Sequence, residues 1–166
     1  MTEAGLDLGP GNGVGLLVDT NLLVLFVVGT VNRNRIETFK RTWQYTKEDY
    51  DLLRRVLSKF EPLYTLAHVL AEVSNLTDLR GSEGLLARRV LKEAFSVLTE
   101  VEMPSKVAAQ DRVYENLGLV DGAIGAVART HNCVVLTDDL DLYLQLSRDR
   151  VEIINFTHLR ARAQGL

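Results

Sequence analysis

The strongest constraint on this chain is a set of short, wholly apolar runs that each stop at a polar or acidic residue. Residues 14–18 (Val-Gly-Leu-Leu-Val) run into Asp19, and residues 133–136 (Cys-Val-Val-Leu) run into Thr137, Asp138 and Asp139. Such runs are too short for a buried helix and lack polar alternation, so they fit strands covered on both faces. Residues 63–65, 101–103 and 151–154 read as further short strands. Helical patterns lie between them, over 21–28, 47–60, 67–79, 83–98, 105–116, 121–130 and 140–146. Tyr50, Leu53, Val56, Leu57 and Phe60 share one face of the 47–60 helix, and Leu86, Val90, Ala94 and Val97 form a stripe on 83–98. Thr46 and Asp49 have the spacing of a capping box. Strands alternating with helices predict an α/β fold with a mainly parallel sheet. Residues 30–45 read as an exposed loop or irregular helix.

Residues 1–13 are rich in glycine and read as a flexible tail before one domain over 14–166. The glycines from Gly9 to Gly15 faintly suggest a phosphate loop, but such a loop follows a strand, and this one precedes it. Hydrophobic residues at 46% and charged residues at 25% exclude disorder. A single cysteine, Cys133, excludes an intrachain disulfide. With His68, His131 and His158 scattered, a Cys/His zinc site is hard to build. The apolar stretch 14–28 carries Asp19 and Asn21, is too short to span a bilayer and lacks a basic flank, so a cytoplasmic protein is expected.

In parallel sheets, ligands bind beyond the carboxyl ends of the strands. Asp19, Asp139 and Asp141 fall there, and Glu72 lies about two turns into the helix after the second strand. Asp121 opens a helix of small and apolar residues. Each acid has a bland reading. Asp19 and Asp121 equally serve as helix caps, and Glu72 equally sits on a solvated helix face. Together, carboxylates converging on one sheet end repel strongly, and such a cluster persists as a cation site. All-oxygen donors suit Mg²⁺ or Mn²⁺. Net charge is −3, and setting these five acids aside leaves +2 for the remainder, so an anionic substrate would meet a mildly basic surround.

Four segments carry a resemblance: Val18-Asp19-Thr20-Asn21-Leu22-Leu23, Ala71-Glu72-Val73, Leu119-Val120-Asp121-Gly122-Ala123-Ile124 and Thr137-Asp138-Asp139-Leu140-Asp141-Leu142. In that order they resemble the acidic motifs of the PIN-domain family, which includes the VapC-like ribonucleases, with Leu142 where the family favours Phe. The resemblance implies a three-layer α/β/α sandwich and Mg²⁺- or Mn²⁺-dependent cleavage of RNA by an activated water. It implies Asp19, Glu72, Asp121 and Asp139 as catalytic, metal-binding acids, with Asp141 auxiliary. Thr20, Asn21 and Thr137 would orient the carboxylates or a water. Asp138 falls at the variable position and is expected to point away. Many members are toxins, so an antitoxin partner and a homodimer are implied as well.

The 30–45 segment exceeds a minimal member. Arg33, Arg35, Lys40 and Arg41 there are candidates for RNA phosphate, and Trp43 or Tyr45 for stacking on bases. A solvated loop with packed aromatics is the competing reading. Three rivals remain for the whole chain. A Mg²⁺-dependent phosphatase would need a second Asp where Asn21 stands. A receiver-type signalling domain would need an acidic pair after the first strand. A silent module of the same fold, binding RNA or protein, would be expected to lack acids, and all are present.

Overall fold

The computed structural model describes residues 13–165. The expected glycine-rich tail, apart from Gly13, lies outside them. Five strands form one parallel sheet in the order β3-β2-β1-β4-β5. They are β1 (Gly15–Val18), β2 (Leu63–Thr65), β3 (Thr99–Glu100), β4 (Cys133–Thr137) and β5 (Ile153–Asn155). All four residues of β1 and all five of β4 are buried, as runs without polar alternation require. Their register pairs Gly15 with Cys133 and Val18 with Leu136.

The helices are α1 (Thr20–Val31), α2 (Lys47–Leu57), α3 (Ala67–Leu76), α4 (Gly81–Val97), α5 (Ser105–Ala108), α6 (Tyr114–Leu117), α7 (Leu119–Thr130), α8 (Leu140–Arg148) and α9 (Phe156–Ala163). Helix α1 is apolar around most of its circumference because it packs against α2, α3 and α4 at once. Helix α7 packs against α5, α6, α3 and β4. The result is a three-layer α/β/α sandwich. Fully buried Leu16, Leu17, Leu22, Leu25 and Leu136 join its centre, each contributing about 1.5–3 kcal/mol by leaving water.

Helical crossovers carry the chain from β1 outward to β2 and β3, and from β4 outward to β5. The winding reverses between β1 and β4. Their carboxyl ends therefore open side by side, with helices leaving in different directions, and the crevice between them is the switch point of the sheet.

Several expectations need correction. Residues 105–116 are two short helices, not one. The Asp111 carboxylate accepts from the Val113 amide at 2.9 Å and turns the chain between them. The third strand is Thr99–Glu100 rather than 101–103. Helix α9 was not expected; Asn155 starts it by accepting from the His158 amide at 3.1 Å. Helix α7 begins at Leu119, because Gly118 takes φ +95° and releases the chain two residues before Asp121. Gly122 lets α7 lie on α5, since a Cβ there would stand 2.8 Å from the Ala108 carbonyl oxygen. The buried residues of α4 are Gly84, Ala87 and Leu91; of the stripe, Val90 packs half-buried against the core, whereas Leu86 and Val97 are exposed beside an open apolar groove of about 480 Å³ between α1, α3 and α4.

The 32–45 segment is also more than a loop. A 3-10 turn at Arg33–Arg35 leads into consecutive turns in which Ile36, Thr42 and Tyr45 are buried. Thr46 and Asp49 form the expected capping box at α2. No described helix is long and apolar enough to cross a membrane.

Candidate metal centre

Asp19 follows the last residue of β1 and is buried, 5% exposed. Its amide donates to the Leu136 carbonyl at 2.9 Å, which extends the β1–β4 ladder and fixes the residue opposite Thr137. One carboxylate oxygen accepts from the Thr20 amide at 2.6 Å, starting α1. The other accepts from the Thr137 hydroxyl at 2.6 Å. The capping role and the site role thus coexist in one geometry. Burial pushes the Asp19 carboxyl up to about 6. The Thr137 hydrogen bond opposes this, and the charges of Asp138 and Asp139 add to it.

Asp139 mirrors Asp19 across the switch point. It caps α8 by accepting from the Leu142 amide at 2.9 Å, and its own amide donates to Thr137 Oγ1 at 3.0 Å. Thr137 therefore links both acids, donating its proton to one and accepting from the backbone of the other. Glu72 reaches the same end of the sheet from α3, where its Oε2 accepts from the Thr20 hydroxyl at 2.7 Å. It is half-buried, not on a solvated face.

Asp121 differs from these. It lies in the first turn of α7, yet no side chain caps this helix. It makes no hydrogen bond or ion pair among the described residues. Burial pushes its carboxyl up to about 7, and the charges of Asp19, Asp139 and Glu72 push in the same direction. That dependence brings all four acids into one electrostatic neighbourhood. Asp141 does not join it, being exposed in the first turn of α8. Among the described residues, no basic side chain forms an ion pair with any of the four.

Nor do any three Asp, Glu, His or Cys residues among those described stand close enough to enclose an ion as they are. The donor set still fits a hard divalent cation: oxygen atoms only, half-buried or buried, with threonine hydroxyls orienting Asp19 and Glu72.

The structure departs from expectation at Asp138. It is half-buried rather than turned to solvent, and it accepts a short hydrogen bond from the Tyr45 hydroxyl. Gln44 Nε2 and Asn21 Nδ2 approach its carboxylate at 3.4 and 3.5 Å. Arg160 of α9 lies over the Tyr45 ring, 5.4 Å from its centre. Burial first, and Asp138 next, push the Tyr45 hydroxyl far above its ordinary value, so it stays a donor. Nothing in local sequence links Tyr45 to Asp138, 93 positions away. Asn21 thus serves Asp138 rather than Asp19. His68 donates to or accepts from the Ser105 hydroxyl at 2.8 Å.

The basic candidates of the 30–45 segment are mostly engaged. Arg33 pairs with Asp51 at 2.7 Å, Arg35 with Glu83 at 2.7 Å and Lys40 with Asp78 at 3.0 Å. Arg41 makes no ion pair among the described residues. Tyr45 is buried, and Trp43 is 72% exposed.

Residues 16–148 match the family model described as PIN domain. No curated protein matches the chain. The matched range begins in β1 and ends with α8, so it contains all four acids and the Thr137–Asp141 motif.

Proposed function

Because the chain belongs to the PIN-domain family, whose members are generally metal-dependent nucleases, we propose that it is an endoribonuclease dependent on Mg²⁺ or Mn²⁺. One observation carries the reading. At the switch point, Asp19 and Asp121 are raised to about 6 and about 7 beside Asp139 and Glu72, and no basic side chain among the described residues pairs with them. The destabilisation of such a group is relieved by a cation from outside the chain.

Asp19, Asp121 and Asp139 hold the ion, and Glu72 completes the set. The ion supplies Lewis acidity toward a phosphodiester oxygen and toward the attacking water. The chain supplies the positioning. The Thr137 hydroxyl and Thr20 amide each occupy one lone pair of Asp19, which fixes the carboxylate plane and leaves other lone pairs for the ion. The Thr20 hydroxyl ties Glu72 to the same residue, so β1 and α3 present their acids as a unit. A bound cation would favour the ionised form of both raised carboxyls. Asp141, exposed in the first turn of α8, is the candidate for an outer water, and Arg41 for backbone phosphate.

The finer reading, a toxin held by an antitoxin or paired with a second copy, rests on the family resemblance. The exposed apolar side chains of α4 are the surface such a protein would cover. A silent module of the same fold is the alternative. Cleavage of a mixed panel of structured and single-stranded RNAs, with Mn²⁺, Mg²⁺ or EDTA, tests the proposal. Metal-dependent cutting by wild type, lost in Asp19→Asn, is expected. A folded wild type that binds Mn²⁺ and RNA but cuts none of the panel would favour the silent module.

A further inference from the structure

Trp43 is 72% exposed, whereas its neighbours Thr42 and Tyr45 are 0% and 1% exposed. A turn clamps it between these two anchors. The Thr42 hydroxyl donates to the Ile36 carbonyl at 2.8 Å, the Trp43 amide to the Phe39 carbonyl at 3.0 Å and the Tyr45 amide to the Thr42 carbonyl at 2.8 Å. The indole is therefore presented by a fixed backbone, not by a floppy loop. Four of the other large exposed apolar side chains, Leu85, Leu86, Phe95 and Val97, belong to α4, and Leu86 and Val97 line its apolar groove. Trp43 stands alone between Thr42 and Gln44, with Arg41 two residues before it.

Its address is the second observation. Gln44 and Tyr45, the next two residues, both reach Asp138, which sits between Thr137 and Asp139 of the acidic site. Arg160 locks this junction, donating to the Gln44 carbonyl at 3.1 Å while covering the Tyr45 ring. Gln44 and Tyr45 thus tie the chain next to Trp43 to the Thr137–Asp139 turn. The flanking cations Arg33, Arg35 and Lys40 are spent in ion pairs that pin the segment. Arg41 is left to face a phosphate.

We propose that Trp43 is a base-stacking platform beside this site, the side chain through which an unpaired base of the RNA is held. The assignment rests on the nuclease reading above and sharpens it. A rigid, exposed indole offers its face to any unpaired base, which gives affinity without demanding a sequence. Bases inside a duplex hide their faces, so paired RNA gains nothing from it. The buried Tyr45, the other aromatic candidate of the segment, is excluded from this role by its bond to Asp138.

Trp43 is the sole tryptophan of the chain, so intrinsic fluorescence reports on it alone. The uncleaving variant Asp121→Asn is titrated with a dye-labelled single-stranded RNA of mixed sequence, following indole emission and dye anisotropy together. Saturable quenching in step with the anisotropy is expected, and the same sequence as a blunt duplex should quench far less. In the wild-type background, Trp43→Ala should raise KM for the single strand about tenfold, with kcat within about twofold and Mn²⁺ affinity unchanged. Trp43→Phe should recover part of the loss. Binding without quenching, or a Trp43→Ala variant with unchanged KM, would overturn the platform and leave the nuclease standing. No binding of either RNA by the folded protein would overturn both.

Discussion

Two groups of buried carboxylates lie in this fold, and the chain treats them in opposite ways. At the outer edge of α7, Asp111 and Asp149 have side chains 9% and 10% exposed, and Arg129 pairs with both through its two terminal nitrogens. Arg112 adds a second contact to Asp149 at 3.0 Å. Asp49 of α2 is likewise met by Arg160 at 2.8 Å. At the switch point, Asp19, Glu72 and Asp139 accept from hydroxyls or amides and Asp121 from nothing, and no basic side chain among the described residues pairs with any of the four. A fixed guanidinium neutralises a carboxylate pair permanently and so makes structure. An uncompensated cluster is unstable until something soluble neutralises it, which makes a site. On the proposed reading, it is this contrast between the clusters, rather than acid content as such, that separates structural from functional acids.

The largest effect that would break the contrast is on cleavage. Asp19→Asn, Asp121→Asn or Asp139→Asn should each lower kcat/KM for RNA by about a thousandfold, the rate equivalent of several kcal/mol of lost metal stabilisation. Circular dichroism should stay native. Wild-type-like turnover in any of them would remove that acid from the site.

Next in size is the structural cluster. Arg129→Met leaves Asp111 and Asp149 buried without their partner, and urea unfolding should show a loss of about 3–5 kcal/mol. The variant, where folded, should bind Mn²⁺ as wild type does. A loss of Mn²⁺ affinity in the native fraction would mean that the two clusters are not independent.

The opposite sign is expected for Asp121→Asn. This substitution removes a repelled charge, so the metal-free protein should gain about 1–2 kcal/mol at neutral pH after allowance for partial solvent screening. The same linkage sets the pH dependence. The Asp121 and Asp19 carboxyls stand near 7 and 6 in the fold, against an ordinary value of 3.8. Between these limits the folded chain holds protons that the unfolded chain has lost. Stability of the metal-free wild type should therefore be fullest near pH 4 and fall as pH rises toward 7, from these groups. Saturating Mn²⁺ should reverse the fall. A thermal-denaturation series across that range that rose with pH through the same window would contradict the raised carboxyls.

The smallest effect concerns orientation. Thr137→Val removes the hydroxyl that donates to Asp19 while keeping the shape of the buried side chain. Mn²⁺ affinity, measured by calorimetry, should weaken about 10–100-fold. An unchanged affinity would mean that the ladder geometry alone aims Asp19.

Much of this frame is legible in the sequence because it is written locally. The runs at 14–18 and 133–136 carry no polar alternation, and the strands built from them are buried throughout. Acids directly after such runs must fall at the sheet end, so Asp19 and Asp139 could be placed without knowing what lies between them. Glu72 and Asp121 came from motif order, and the fold supports their shared neighbourhood through long-range repulsion. Other features are not written locally. The Asp138–Tyr45 bond joins positions 93 apart, and the variable motif position from which Asp138 was expected to point away has no knowledge of a segment returning to meet it. The break in the 105–116 helix depends on Asp111, whose second partner, Arg129, lies a full helix later. The basic side chains at 33–40 looked available because their acidic partners, at 51, 78 and 83, are remote in sequence.

The most direct test of the central claim is a calorimetric titration of the EDTA-treated wild type with Mn²⁺ at neutral pH, repeated in buffers of different protonation enthalpy. The account predicts saturable binding with net proton release, because Asp19 and Asp121 must ionise to receive the ion, and loss of both signals in Asp19→Asn. A folded wild type that takes up no Mn²⁺, or takes it up equally well in Asp19→Asn, would contradict it.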